Sequence, residues 1–484
     1  MAGIGFQLRK LSRQETISSV VAAAGHAAVI AAGPWLFTIF SLAAITALTE
    51  EIVGRQTVST FRVIVIYAFA ISLVLTAPVT IVATRRVADA LWLKKPETVP
   101  PLLFGAFIWA LVTSSFGVLV LCLLFSLSAP IALSLGAMSM LVALIWVALC
   151  FCGAIRDYKG VTLSFLIGLV AALFGSVGAA ALELGSVGMA AGFMLGLTLT
   201  FLGLTLRILR TFPQPLLAPW RGVVELWQGA AIYWHLAVGA LLGTAGVWVD
   251  KWVFWGSSVG EKLDAGLIHA PLYDSAMFIS SLALIPGLAA FVMKLETDFF
   301  DRYQSYYATI QTHGTIGQIE DRRARLTTNT LDNLTLISVA QVGICVVLIL
   351  SAPAIVEALN LQFRQIAILR FGALGAVFQF IFIASTSLLL FFDRRRLYLL
   401  LQTLFFTLNL SLTAATIGLN EDYYGVGYFL ACLISSFAAF VLADRTFSNL
   451  NFLTFIGNNP SIRQSTASKI KRGWSPLRLL ERRN

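Results

Sequence analysis

Thr60–Thr84 reads TFRVIVIYAFAISLVLTAPVTIVAT, and Arg62 is its one charged residue. As a helix rising about 1.5 Å per residue, the segment is long enough to cross a hydrocarbon core of about 30 Å. Lipid is the solvent that suits it, because a helix satisfies its own backbone and can turn its apolar side chains to acyl chains. The pattern recurs along the chain. Apolar runs lie near 18–48, 60–84, 102–127, 133–155, 161–182, 186–208, 229–255, 271–294, 333–356, 366–392, 397–418 and 424–443. Twelve spans are predicted.

Composition points the same way. The 484 residues are 58% apolar and 12% charged, with a mean hydropathy of +0.84. Soluble domains are nearer ~45–50% apolar and about a quarter charged. A soluble enzyme, a nucleic-acid binder and a disordered scaffold are excluded. Spans and short loops use nearly the whole chain, so no sizeable soluble domain fits. The first apolar run is too long for a cleavable signal peptide and lacks a small-residue cleavage site. The expected fold is an all-α integral membrane protein with about twelve transmembrane helices in two six-helix halves.

The net charge of +10 is explained by topology. With the N-terminus inside, all but six of the 34 Lys and Arg lie on the inner side; the exceptions are Arg55, Arg62, Lys251, Lys262, Arg364 and Arg370. That is the positive-inside distribution, and it predicts two cytoplasmic termini. Residues 1–212 and 223–446 form the expected halves. The linker 213–222 overlaps Thr211–Arg221 (TFPQPLLAPWR), whose three prolines cannot continue a helix. An even arrangement of this kind implies parallel repeats with a substrate path between them. In the tail 447–484, Glu481 is the sole acid among many basic residues. The tail is expected to lie on anionic inner-leaflet lipid, with partner binding as the alternative.

Ionisable groups within spans cost about 2.5–3.5 kcal/mol each on insertion scales, so each needs a reason. The densest case is Gly246–Trp255, GVWVDKWVFW. Asp250 shares a helix face with Gly246, Val247 and Phe254. Lys251 turns about 100° away, which predicts that the two do not pair with each other. Asp274, at the same outer level, is the expected partner of Lys251. One reading is an interfacial ion pair with an aromatic belt of Trp248, Trp252 and Trp255. The other is the outer mouth of a substrate path, formed by Asp250, Lys251, Asp274, Trp248 and Trp255, where aromatic faces beside carboxylates suit sugar rings.

His26 is read as a helix-packing hydrogen bonder before a proton relay. Arg62 and Arg370 are expected to snorkel. Pro34, Pro78 and Pro286 should kink or break their helices. Cys122, Cys150, Cys152, Cys345 and Cys432 read as small packing residues. Neither an HxxxH nor a CxxC spacing occurs, so no metal site or cofactor is expected. The chain also lacks a GxxxxGK[ST] loop and is not expected to hydrolyse ATP. Glu50–Glu51 could suggest a membrane glycosyltransferase, but such enzymes add large outer domains that do not fit here.

After the eighth span the helical pattern runs on across Thr297–Thr330. Phe299, Phe300, Tyr303, Tyr306, Tyr307 and Ile310 make one aromatic face. An interfacial helix is one reading. A docking face for a cytoplasmic enzyme, carried by Phe299, Tyr303, Tyr306 and Tyr307, is the other.

Met1–Lys10 (MAGIGFQLRK), the GVWVDKWVFW stretch, Tyr273–Asp274 and Pro286–Tyr307, with Lys294-Leu295-Glu296-Thr297, resemble the PelG family over about residues 1–446. Gln7 stands where that family usually has an acidic residue, and the basic tail lies outside its pattern. The resemblance implies a fold like those of the multidrug/oligosaccharidyl-lipid/polysaccharide (MOP) flippase superfamily, in a bacterial inner membrane. It implies export of an amino-sugar exopolysaccharide for biofilm matrix, and no enzyme activity. Implied partners are a cytoplasmic glycosyltransferase and membrane subunits that include a cyclic-di-GMP receptor. The alternatives are an ion-coupled small-molecule exporter, a lipid-linked oligosaccharide flippase, or a scaffold that passes no substrate. Acidic groups near helix ends argue against ion coupling, and fold analogy alone does not separate the transporters.

Overall fold

Helices account for almost all of the computed structural model, which describes residues 37, 39–153, 158–216 and 218–457. The expectations for Gln7, His26, Pro34 and residues 458–484 fall outside them. Helix α1 covers 39–53 and ends at Gly54, whose φ of 81° suits glycine. Then come α2 (Arg55–Trp92), α3 (Val99–Leu124), α4 (Ala129–Cys152), α5 (Tyr158–Ala181) and α6 (Gly185–Thr211). The second half holds α7 (Pro219–Ile232), α8 (Trp234–Trp255), a two-stranded hairpin of β1 (Glu261–Lys262) and β2 (Ile268–His269), α9 (Pro271–Leu282) and α10 (Leu284–Lys294). It closes with α11 (Phe300–Gln311), α12 (Ile316–Ala358), α13 (Gln365–Phe391), α14 (Arg395–Ile417) and α15 (Val426–Ser448).

Eleven helical stretches among the described residues are long and apolar enough to cross a membrane. The first expected span, 18–48, is described only from its last part, in α1. This is a multi-pass membrane protein. Its exposed residues include Phe116 and Leu123 on α3, Leu336 and Leu350 on α12, and Phe437 on α15. Such faces are stable only against lipid.

Lipid also removes the hydrophobic drive between helices, so close approach and buried hydrogen bonds must hold the bundle. Small residues supply the approach. On the α5–α6 pair a Cβ at Gly192 would lie 2.3 Å from Gly175, and one at Gly196 would lie 2.2 Å from Gly168 O. On α8 the stripe Gly239, Gly243 and Gly246 admits Tyr398, Gln402 and Phe405 of α14. Helices α2 to α6 pack among themselves, as do α8, α9 and α12 to α15. Helix α2 meets α8, and α3 meets α7, where the halves touch.

Several expectations are corrected. Pro78 does not break its span, because α2 runs through it for 38 residues. Helix α4 packs along this stretch, with Cys150 Sγ reaching Thr80 O at 3.3 Å, and bundles tolerate such a proline where neighbours surround it. The expected span 229–255 begins five residues later, at Trp234, since α7 turns off at Tyr233. Residues 297–330 are not one helix. A π turn (Leu295–Phe299) leads into α11, and the chain reverses around His313, whose φ is 56°. Helix α12 then opens on a capping box. Thr315 Oγ1 accepts from Gln318 N at 3.3 Å, and Gln318 Oε1 accepts from Thr315 N at 3.0 Å.

Candidate functional site

Helix α8 turns Gly246, Asp250 and Phe254 inward on one stripe, as their four-residue spacing requires. Asp250 is fully buried. The expected pairing is overturned: Lys251 Nζ lies 3.0 Å from Asp250 Oδ2 and 3.1 Å from Oδ1. The angle between neighbours on a helix applies to Cα–Cβ directions, and the four-carbon lysine stem bends back across it. The ammonium also donates to Val247 O at 3.2 Å and sits 5.9 Å from the centre of the Trp248 ring. Tyr273 completes the carboxylate, donating to Asp250 Oδ2 at 2.8 Å while its ring stacks on Phe254 at 3.8 Å.

Asp274 is engaged elsewhere. It opens α9 and accepts from Ala270 N at 3.0 Å and from Trp255 Nε1 at 2.8 Å. Its Oδ1 is buried without a partner, as is Trp248 Nε1. Trp255 stacks on Tyr67 of α2 at 4.5 Å with rings 16° apart. Tyr67 in turn donates to Ile268 O at 2.6 Å. The hairpin leans on the first half at two more places. Gln56 donates to Asp264, and Gly266, with φ 85°, lies so close to Ser126 O that a Cβ would sit 2.9 Å away. Of the five predicted outer residues, Trp255 meets the first half and is held by Asp274, whereas Asp250, Lys251 and Trp248 are paired within the second half and Asp250 faces protein.

His269 sits in this joint outside the spans. Burial lowers its pKa, Glu261 opposes that, and Arg62 adds to the lowering. Arg62 itself is half-buried and lies within Coulomb range of Glu50 and Asp274, so it does not simply snorkel. Glu50 pairs with Arg55 at 2.9 Å.

At the opposite end the halves meet again. Arg85 Nη2 donates to Leu390 O at 3.1 Å, satisfying a carbonyl in the last turn of α13. Tyr233 donates to Asp89 Oδ2 at 3.1 Å, with the Arg395 guanidinium 4.6 Å from its ring centre. Burial, and then Asp89, raise the Tyr233 pKa.

The aromatic face of 297–330 is spent inside the chain. Phe299 and Tyr306 are buried, and Tyr303 and Tyr307 are half-buried. Phe299 packs edge-on to Phe391 at 5.1 Å, and Tyr306 donates to Asn451 Oδ1 at 2.8 Å. Asn451 Nδ2 reaches Glu320 Oε2 at 2.6 Å, and Arg323 donates to Phe447 O and Ser448 O at 3.2 and 3.1 Å. Here the folded-back hairpin covers the aromatic face that a single extended helix would have left open.

Buried amides and phenols were not singled out from the sequence. Asn409 donates to Gly246 O at 2.8 Å and accepts from Thr413 at 3.1 Å. Tyr428 donates to Gln379, and Gln341 donates to Ala283 O at 2.8 Å. The available signal was an amide inside an apolar span, which is as much in need of a partner as many charges.

A family profile described as "PelG: Putative exopolysaccharide Exporter (EPS-E)" matches residues 1–455. No curated protein matches the chain. Among solved structures, a MATE transporter in complex with MaL6 superposes with TM-score 0.61 at 14% identity, covering 88% of this chain and 96% of its own. A mutant of the Vibrio cholerae MATE transporter VcmN gives 0.61 at 13% identity, covering 88% and 98%. A MOP superfamily transporter from Pyrococcus furiosus gives 0.59 at 12% identity, covering 88% and 96%. At such identities the likeness is one of fold. With a family match over nearly its whole length, a MATE-like fold and two halves that close at both ends, the chain belongs to the PelG family of membrane transporters.

Proposed function

We propose that this protein exports an amino-sugar exopolysaccharide of the Pel type across a bacterial inner membrane, with both termini cytoplasmic, for biofilm matrix. The polymer comes from a cytoplasmic glycosyltransferase, and the partners include membrane subunits such as a cyclic-di-GMP receptor. The basic tail rests on anionic lipid. The carrying observation is the stack of Tyr67 on Trp255, which joins the halves at the predicted outer end while Trp255 holds Asp274. Asp250, Lys251, Asp274, Trp248 and Trp255 act as an outer gate, and polymer meets them when the joint parts. Contacts at both ends favour a gated path over an open channel.

Docking of the glycosyltransferase to the 297–330 hairpin is retained with a changed surface. Because Phe299 and Tyr306 face inward, Tyr303, Tyr307 and the exposed Arg302 and Ile316 are the groups a partner can reach.

One observation favours the ion-coupled alternative: Asp250 is fully buried although it lies near a helix end. Lys251 already neutralises it, however, which leaves no vacancy for a coupling cation in this arrangement.

The test measures polymer in cytoplasmic and secreted fractions of a strain lacking the protein, with wild-type or Asp250→Asn copies restored at equal membrane level. Loss of secreted polymer, rescued by wild type alone, supports both transport and gate. Normal secretion in the deletion strain removes the exopolysaccharide reading.

A further inference from the structure

The predicted span 271–294 is two helices. Helix α9 ends at Leu282 and α10 begins at Leu284, with Ala283 between them. Pro286 explains the joint, since it has no N–H for the carbonyl four residues back and its ring crowds that carbonyl. Ala283 N reaches only three residues back, to Ser280 O at 3.2 Å.

Inside a membrane such a joint needs an outside partner. Gln341, from the apolar part of α12, reaches the residue next to Leu282, whose carbonyl Pro286 frees: its Nε2 donates to Ala283 O at 2.8 Å and also points at Cys345 Sγ, 3.4 Å away. Gln341 is fully buried, yet its Oε1 has no partner. That oxygen lies against Gly287, where a Cβ would sit 2.3 Å from it. A carboxamide satisfied at one end only, at this depth, has an unmet acceptor. Gly287, beside that oxygen, lies in the first turn of α10 and carries a backbone N–H. If the joint opens further, the amide can take the Ala283 carbonyl and the Gly287 N–H together. The span then has two arrangements, and in both the Gln341 amide holds the Ala283 carbonyl.

The seat of such a pivot is close-packed and tied. Ser280 Oγ donates to Leu369 O at 3.0 Å above Gly372, with Met277 beside it, and Gln365 Nε2 of α13 donates to Pro271 O and Leu272 O at 3.2 and 2.9 Å, so these are the ties a pivot of α9 must slide over or release.

We propose that Gln341 is a positioning residue, an amide latch on the Leu282–Leu284 joint that lets α9 pivot on α10. Helix α9 carries Tyr273, which holds Asp250, and Asp274, which holds Trp255. In naming what the pivot moves, the proposal rests on the gate reading above; the latch itself does not.

The test uses the full-length protein, in cells for secreted polymer and in nanodiscs for unfolding midpoint and amide exchange of 271–290. Gln341→Leu keeps the volume and removes both amide groups. Gln341→Glu, protonated in hydrocarbon, keeps one donor and one acceptor. Gly287→Ala drives a methyl group into the amide. The expected result is an unfolding midpoint for Gln341→Leu that is unchanged or raised. Its secreted polymer should fall on the order of fivefold, with altered exchange at 284–288. Gln341→Glu restores most of both, and Gly287→Ala copies Gln341→Leu. Wild-type exchange and export in Gln341→Leu would overturn the latch. So would parallel loss of midpoint and export that Gln341→Glu does not rescue, the mark of a merely structural residue. If Gln341→Leu changes exchange and export while Tyr273→Phe and Asp250→Asn export normally, the latch stands and the gate reading fails.

Discussion

Tyr67 and Trp255 come from opposite halves of the protein and stack face to face, 4.5 Å apart and 16° from parallel. Each has a second tie, since the Tyr67 hydroxyl bonds Ile268 O and the Trp255 N–H bonds Asp274. One aromatic pair thus joins α2, α8, the β hairpin and α9, and parting it releases four elements together.

Trp255→Ala should loosen this joint more than Trp255→Phe, which keeps a ring but loses the N–H. A stacked pair contributes about 0.5–1.5 kcal/mol beyond its buried area. A loss of about 1 kcal/mol corresponds to roughly fivefold faster amide exchange across 261–269. Equal exchange in wild type and Trp255→Ala would show that the stack does not hold the ends together.

The Asp250–Lys251 pair should behave non-additively. Removing one partner of a buried pair leaves an uncompensated charge and costs about 3–5 kcal/mol. Asp250 is fully buried and the Lys251 side chain is 14% exposed, which places the Lys251 loss toward the lower end. Asp250→Asn with Lys251→Met should be more stable than Asp250→Asn alone, measured by thermal unfolding in detergent. Additive losses would mean the two side chains act separately.

His269 predicts a pH effect at the hairpin. Its pKa is lowered in the folded protein by burial, partly offset by Glu261. The closed hairpin therefore favours neutral histidine and binds fewer protons than the open one. Its stability is fully present above the ordinary histidine value of about 6.5 and is lost as pH falls from there toward the lowered value. Intrinsic amide exchange slows as pH falls from 7.5 to 5.5, so exchange across 261–269 should slow by less than intrinsic chemistry predicts, and His269→Gln should remove that difference. A pH response retained in His269→Gln would assign it elsewhere.

Tyr306→Phe removes one hydroxyl from Asn451 and should cost about 1 kcal/mol, whereas Tyr306→Ala opens a cavity and should cost about 3–5 kcal/mol. Limited proteolysis at the exposed His313–Gly317 turn reports the difference. If cleavage of Tyr306→Ala matches wild type, the aromatic face does not anchor the hairpin.

Hydropathy made the spans legible, because length and apolarity alone decide whether a helix suits lipid. The Gly246, Asp250 and Phe254 stripe was equally readable from its spacing. The Asp250–Lys251 pair was not: wheel geometry places Cβ atoms, and a lysine ammonium sits several rotatable bonds further on. The turn at His313 left a readable mark in Thr315 and Gln318, which match a capping box, but the aromatic spacing of 299–310 overshadowed it. No local pattern could join Tyr306 to Asn451, 145 residues away. Nor could spacing show that Pro78 would be absorbed while Pro286 would not. That depends on which neighbours stand beside each proline.

The ties from the inner hairpin to the end of α15 also set a schedule for synthesis. Arg323 and Tyr306 leave the ribosome well before the groups that receive them, 124 to 145 residues later in the chain. At roughly 5–20 residues per second Tyr306 waits on the order of ten seconds uncovered, while Phe299 meets Phe391 sooner. Throughout that interval the nascent chain shows an aromatic surface that the finished protein conceals. Insertion factors and proteases meet a different molecule from the one that later carries out transport, and a chain cut short before Phe447 keeps that surface for its whole lifetime.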